Sequence, residues 1–171
     1  MKKFIYALAV SLIAMPGFIL AQDKPTPAEA KKVVDYYFNG KGQGVVPIEY
    51  KFCKEVALKG ENQNECVSEI PGKTVKQGDE AYLWMNFVVP TGEEPKILLQ
   101  YFRDNMVRDT DNVSLRGAVR YRTWMRIPTT TMGDWKVRLF QEMADTDLAI
   151  GEIEYSVSGA GQNPSTVSQA Q

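Results

Sequence analysis

Arg116, Arg120, Arg122, Trp124 and Arg126 stand at even spacing within one stretch of the chain. If that stretch is a strand, alternation puts all five on one face, with Ala118 among them. Four guanidinium groups beside an indole suit a carboxylate, a phosphate or an acidic glycan, held by bidentate bonds and stacking. The competing reading is a solvated face whose arginines pair with acids on neighbours, such as Glu93, Glu94 or Asp104. That bland reading is preferred, with the ligand or partner surface kept as the sharper one.

The sequence contains no histidine. This removes the commonest general base, the Ser–His and Cys–His nucleophile pairs and the commonest zinc ligand. Catalysis by carboxylates, Lys or Tyr survives, yet no S-x-x-K or G-x-S-x-G pattern marks it. A glycosidase pair is defined by distance in space, and no sequence spacing selects one. Asp109-Thr110-Asp111-Asn112 and Asp145-Thr146-Asp147 read as oxygen-rich turns. Neither carries the EF-hand pattern, and Asp and Asn cap ordinary turns. A shared cation would require the two turns to meet at one end of the domain. The expectation is therefore no metal, no cofactor and no enzymatic activity.

Two cysteines occur, Cys53 and Cys66. Redox pairs usually sit as C-x-x-C, and this spacing is much longer, so a structural disulfide is expected. Such a bond belongs to an oxidising compartment. The N-terminus agrees: Lys2 and Lys3, an uncharged apolar run from Phe4 to Met15, a Pro16-Gly17 break and a small residue at Ala21 read as an export signal. The run is too short for a comfortable membrane span. Residues 1–21 hold two lysines and no acid, so 20 basic against 21 acidic residues become 18 against 21, a net charge of −3. That balance does not suggest a nucleic-acid binder. The mature chain is expected to be periplasmic or secreted, without a transmembrane segment.

The elements that must position these groups follow from periodicity. Residues 22–44 hold a helix: Thr26 caps it, Pro27 suits its first position, and Glu29 reaches back to the cap's amide. Val33, Val34, Tyr37 and Phe38 form its apolar stripe, and Gly40 is a fitting stop. Packing of that stripe on its own domain is preferred over docking on a partner. From Val45 the period becomes two. Ile48, Tyr50 and Phe52 alternate with polar residues, Lys59 to Asn64 is a loop inside the disulfide, and Glu65 to Ile70 returns before the Pro71-Gly72 turn. Glu80 to Val89 is apolar on both sides, as in a strand covered on both faces. Strands also fit Lys96 to Arg103, Val113 to Ile127, Trp135 to Phe140 and Leu148 to Val157. In the last pair Glu152 and Glu154 are placed to lie opposite Lys136 and Arg138. Trp84 and Trp135 read as core, since both sit in alternating segments. About eight strands with turns between them argue an all-β antiparallel sandwich over 45–158. Residues 159–171 are polar and are expected to be a disordered tail.

Tyr121-Arg122-Thr123-Trp124, Gly133-Asp134-Trp135-Lys136-Val137, Gly151 and Tyr155-Ser156-Val157 resemble the closing strands of a family of bacterial exported immunoglobulin-like domains of unknown function. The likeness covers roughly the last 40 residues of the domain. Lys136 stands where that family commonly has an Arg, and the Glu142 to Asp147 connection is not a simple Gly turn. The resemblance implies an immunoglobulin-like sandwich and transfers no function.

Together these readings describe a non-enzymatic exported binding or assembly module of the bacterial envelope. Its expected partner is an envelope protein or a surface glycan. The alternatives are a carbohydrate- or anion-binding domain and, less favoured, a carboxylate-based hydrolase.

Overall fold

The computed structural model describes residues 25–39, 44–60 and 62–159. The expected export signal, the expected helix stop at Gly40 and the expected tail beyond Gly159 lie outside the described residues.

Helix α1 (Pro27–Asn39) opens as the sequence requires. The Thr26 amide donates to Glu29 Oε2 at 2.7 Å, and the Glu29 amide donates to Thr26 Oγ1 at 3.2 Å. This reciprocal pair satisfies two amides that the first turn leaves without intrahelical partners.

Among the described residues nine strands follow: β1 (Val46–Val56), β2 (Cys66–Glu69), β3 (Thr74–Lys76), β4 (Tyr82–Val89), β5 (Lys96–Arg103), β6 (Met106–Ser114), β7 (Ala118–Arg126), β8 (Gly133–Gln141) and β9 (Leu148–Ser158). They form a four-stranded sheet, β2-β1-β4-β7, and a five-stranded sheet, β3-β9-β8-β5-β6. Every pairing is antiparallel except β3 with β9. The chain thus starts on one sheet as β1 and crosses to the other as β3, beside the last strand. This is an immunoglobulin-like β-sandwich with a short N-terminal helix.

Alternation fills the space between the sheets. Leu83, Met85 and Phe87 of β4 face Leu99 and Tyr101 of β5 and Val137 of β8, all fully buried. Burying a side chain of this size contributes about 1.5–3 kcal/mol relative to exposure. A polar tie joins the sheets where β1 begins: the Val45 amide donates to Gln141 Oε1 at 2.9 Å. Gly44, at φ +77°, lies so close to that side-chain oxygen that a Cβ there would overlap it.

Two local readings are corrected. Val113 to Ile127 is not one strand: it closes β6, leaves the sheet at 115–117 and restarts as β7 on the other sheet. Leu115 is buried and its amide bonds to the Pro95 carbonyl, while a Cβ on Gly117 would press the Pro90 oxygen and Thr91 at 3.0 Å. Those contacts turn the corner. Likewise Asp109 to Asn112 is not a turn but the middle of edge strand β6. The turn before it is Asp104-Asn105, both at positive φ, a two-residue connection between Arg103 and Met106 of the kind that matches strand twist.

Candidate functional site

β7 is an edge strand of the four-stranded sheet, and its outward row is Arg120, Arg122, Trp124 and Arg126. Pairing with β4 sets Asn86 beside Arg122, Trp84 beside Trp124 and Tyr82 beside Arg126. Arg116 does not join this row. It lies in the 115–117 link, at the other end of β7 from Arg126.

The arginines meet acids, though not Glu93, Glu94 or Asp104. Arg120 grips Glu29 of α1 with two bonds, Nε to Oε1 at 2.9 Å and Nη2 to Oε2 at 2.8 Å. Arg122 Nη1 lies 3.0 Å from Glu65 Oε1, in the loop closed by the disulfide. Arg126 Nη1 lies 3.7 Å from Glu80 Oε1, with both side chains largely exposed. The first two pairs hold other elements against the sheet. The third is loose and open to water, and such a pair contributes at most about 1 kcal/mol.

Arg120 sets the charge state of Glu29. Its guanidinium holds the carboxyl down at about 2, against the opposing pull of burial, and the bonds from Thr26 add to the depression. The helix packs through the same side. Val33 and Tyr36 are half-buried, whereas Val34, Tyr37 and Phe38 are exposed. The expected stripe was therefore displaced: Glu29, Val33 and Tyr36 define the docked face. Lys32 Nζ donates to the Ile48 carbonyl at 2.5 Å, and the Tyr37 hydroxyl to the Gly44 carbonyl at 2.9 Å.

At the far end of the row the disulfide dominates. Cys53 and Cys66 are joined, and with Val56 and Trp84 they form a second apolar cluster on the outer side of the sheet. Trp84 is buried as expected, but beneath the disulfide loop instead of between the sheets. Its indole N–H donates to the Asn64 carbonyl at 2.5 Å. Trp124 packs on this cluster and stands edge-to-face with Tyr82, ring centroids 5.1 Å apart. Both rings remain partly exposed. They line a groove of about 560 Å³ with Lys54, Val56, Leu58, Lys59 and Glu80. Tyr82 is a site residue that the sequence does not single out. Its signal was its shared parity with Trp84 in β4, although nothing there tied it to Trp124 on a distant segment.

The two acidic runs do not meet as turns. Asp109 and Asp111 sit on the inward side of β6, opposite Tyr101 and Leu99, while Asp145 to Asp147 lie in the β8–β9 link. Burial, helped by Asp109, pushes the Asp111 carboxyl up. Among the described residues no group of three or more candidate ligands could hold a metal ion, and no helix is long and apolar enough to cross a membrane.

No family model matches this sequence, and no curated protein matches it. Solved structures with a similar course exist at low identity. The C-terminal domain of wzt aligns at 13% identity and TM-score 0.43, over 72% of this chain and 85% of that one. A CARDB domain from Pyrococcus furiosus, solved in complex with di-metal ions, aligns at 12% identity and TM-score 0.33, over 51% and 84%. An alkylpurine DNA glycosylase from Pseudomonas fluorescens aligns at 14% identity and TM-score 0.30, over 74% and 35%. Similarity at this level carries no function to this chain.

Proposed function

We propose that this protein is a non-enzymatic binding or assembly module of the bacterial envelope, and that it meets its partner through the groove beside the disulfide. One observation carries this reading: Tyr82 and Trp124 stand half-exposed in a recess whose back is pinned by Cys53–Cys66. The recess has an apolar strip, Val56 to Leu58, and a rim of both charges, Lys54, Lys59 and Glu80, with Arg126 adjoining. An aromatic centre with a polar rim is the usual anatomy of a protein contact. Arg126 and Trp124 touch the partner in this reading, whereas Arg120 and Arg122 hold α1 and the disulfide loop in place. The disulfide and the likeness to exported immunoglobulin-like domains support a periplasmic or secreted setting. A surface glycan is the second reading, favoured by the indole of Trp124 lying beside the cations of the rim.

The test compares the wild-type domain with Trp124→Ala and Tyr82→Ala in pull-downs from envelope extract at low and moderate salt. The proposal expects one partner that both variants lose while their folds persist. A glycan array run beside it separates the second reading. Unchanged capture by both variants would contradict the groove.

A further inference from the structure

Opposite the β6–β7 side, the sandwich is left open along β9. β3 pairs with Ser156, Val157 and Ser158, so among the described residues Leu148 to Tyr155 have no strand on that side. The Gln77 amide bonds to the Ser158 carbonyl across this edge. By alternation, the backbone N–H and C=O of Glu154 and Glu152 point the same way, with no neighbouring strand to receive them. On the other sheet β2 pairs with β1 only from Cys53 to Val56, and α1 lies beside the start of β1, where Lys32 Nζ donates to the Ile48 carbonyl. A cleft of about 620 Å³ runs between the two edges, lined by Lys32, Ile48, Tyr50, Lys73, Ile153 and the two acids Glu152 and Glu154 among others.

The cleft walls have a pattern. On the outer face Glu152 and Glu154 extend the row of Arg138 and Lys136 and pair with them, Glu152 with both cations and Glu154 with Lys136 alone at 3.3 Å, which leaves the Glu154 side chain 71% exposed. On the inner face Gly151 lies under the Tyr50 ring, where an added Cβ would meet the hydroxyl at 2.6 Å. Ile153 completes that apolar wall. The Tyr50 hydroxyl is buried and has no hydrogen-bond partner among the described residues. Position by position, the edge therefore alternates acid and apolar.

We propose that the β9 edge takes up an extended segment of a partner protein, in line with β3, whose residues alternate between Lys or Arg and small apolar side chains. The cations would lie beside Glu152 and Glu154 on the outer face. The small residues would sit against Ile153 and Tyr50. The backbone of the segment would supply the hydrogen bonds that the short β3 leaves unmade, and the alternate side chains would give specificity. This surface is separate from the groove at Trp124.

The probe is a synthetic peptide of alternating Lys and Val, added to the wild-type domain and followed by fluorescence anisotropy and amide hydrogen exchange. Two controls accompany it: the same peptide with alternate backbone N-methylation, and an alternating Glu–Val peptide. The expected result is binding by the Lys–Val peptide alone, with exchange at the Glu152 and Glu154 amides slowed at least tenfold. Glu154→Pro removes one edge N–H at a position where proline is tolerated, and it should weaken binding at least tenfold. Glu154→Gln, which keeps the amide, should weaken it by less. Absence of binding, equal binding of the N-methylated peptide, or slowed exchange elsewhere but not on β9 would each overturn the proposal.

Discussion

Glu29 uses one carboxylate for two tasks: it closes the cap of α1 and it grips Arg120 of β7 at 2.8 and 2.9 Å. A local helix signal and a contact 91 residues away in sequence thus converge on one side chain. Removing either partner leaves the other charged and partly buried. Arg120→Ala is expected to cost about 1.5–3 kcal/mol, the range for hydrogen bonds to charged groups. Glu29→Gln should cost less, since an amide still accepts one bond. Chemical denaturation measures both, and amide exchange within α1 should accelerate more than exchange in β4.

The same pair makes helix docking depend on pH. The Glu29 carboxyl is held at about 2 in the folded chain, below its ordinary 4.5. A depressed folded value means that the stabilisation is fully present above about 4.5. It is lost as pH falls from 4.5 towards 2. Acid titration followed by α1 amide exchange should show this loss, and Arg120→Ala should flatten it.

Gly151 is required by Tyr50. Gly151→Ala sets a Cβ 2.6 Å from the hydroxyl and 3.2 Å from the ring carbon that bears it. Overpacking of this kind costs about 1–3 kcal/mol. Tyr50→Phe removes the nearer atom, so the double variant should recover part of the loss. Thermal melts of the two single variants and the double variant decide this.

Reducing Cys53–Cys66 frees the 57–65 loop, which covers Trp84. The chain-entropy estimate for a loop of this size is about 3 kcal/mol. Reduction is expected to lower the melting temperature and to red-shift tryptophan emission as Trp84 gains water. An unchanged spectrum would mean that Arg122–Glu65 and Asn64–Trp84 hold the loop without the bond.

Local signals were legible where one segment settles its own structure. The Thr26–Glu29 cap, the bounds of β5, the disulfide and the meeting of Lys136 and Arg138 with Glu152 and Glu154 all follow from spacing within a short window. Tertiary contacts decided the rest. Asp109 to Asn112 has turn composition, yet β5 pairs with it residue by residue, and an exposed edge tolerates its polar side chains. The corner at Leu115–Gly117 carries no strong turn residue besides one glycine, so even spacing alone carries a strand through Arg116, although β6 ends before it. β3 is only three residues long and too short to show a period. The acids that meet the arginines, Glu29, Glu65 and Glu80, come from three segments that no spacing connects to β7.

A partner seated in the Tyr82–Trp124 groove would lie within reach of a crosslinker on the groove wall. Photocrosslinking tests this most directly, with a benzophenone amino acid at exposed Leu58 on the groove and, separately, at exposed Val107 on the far edge of the other sheet. The expected result is a discrete adduct from position 58, lost when Trp124→Ala is added, and none from position 107. Equal adducts from both positions, or an adduct from position 58 that survives Trp124→Ala, would contradict it.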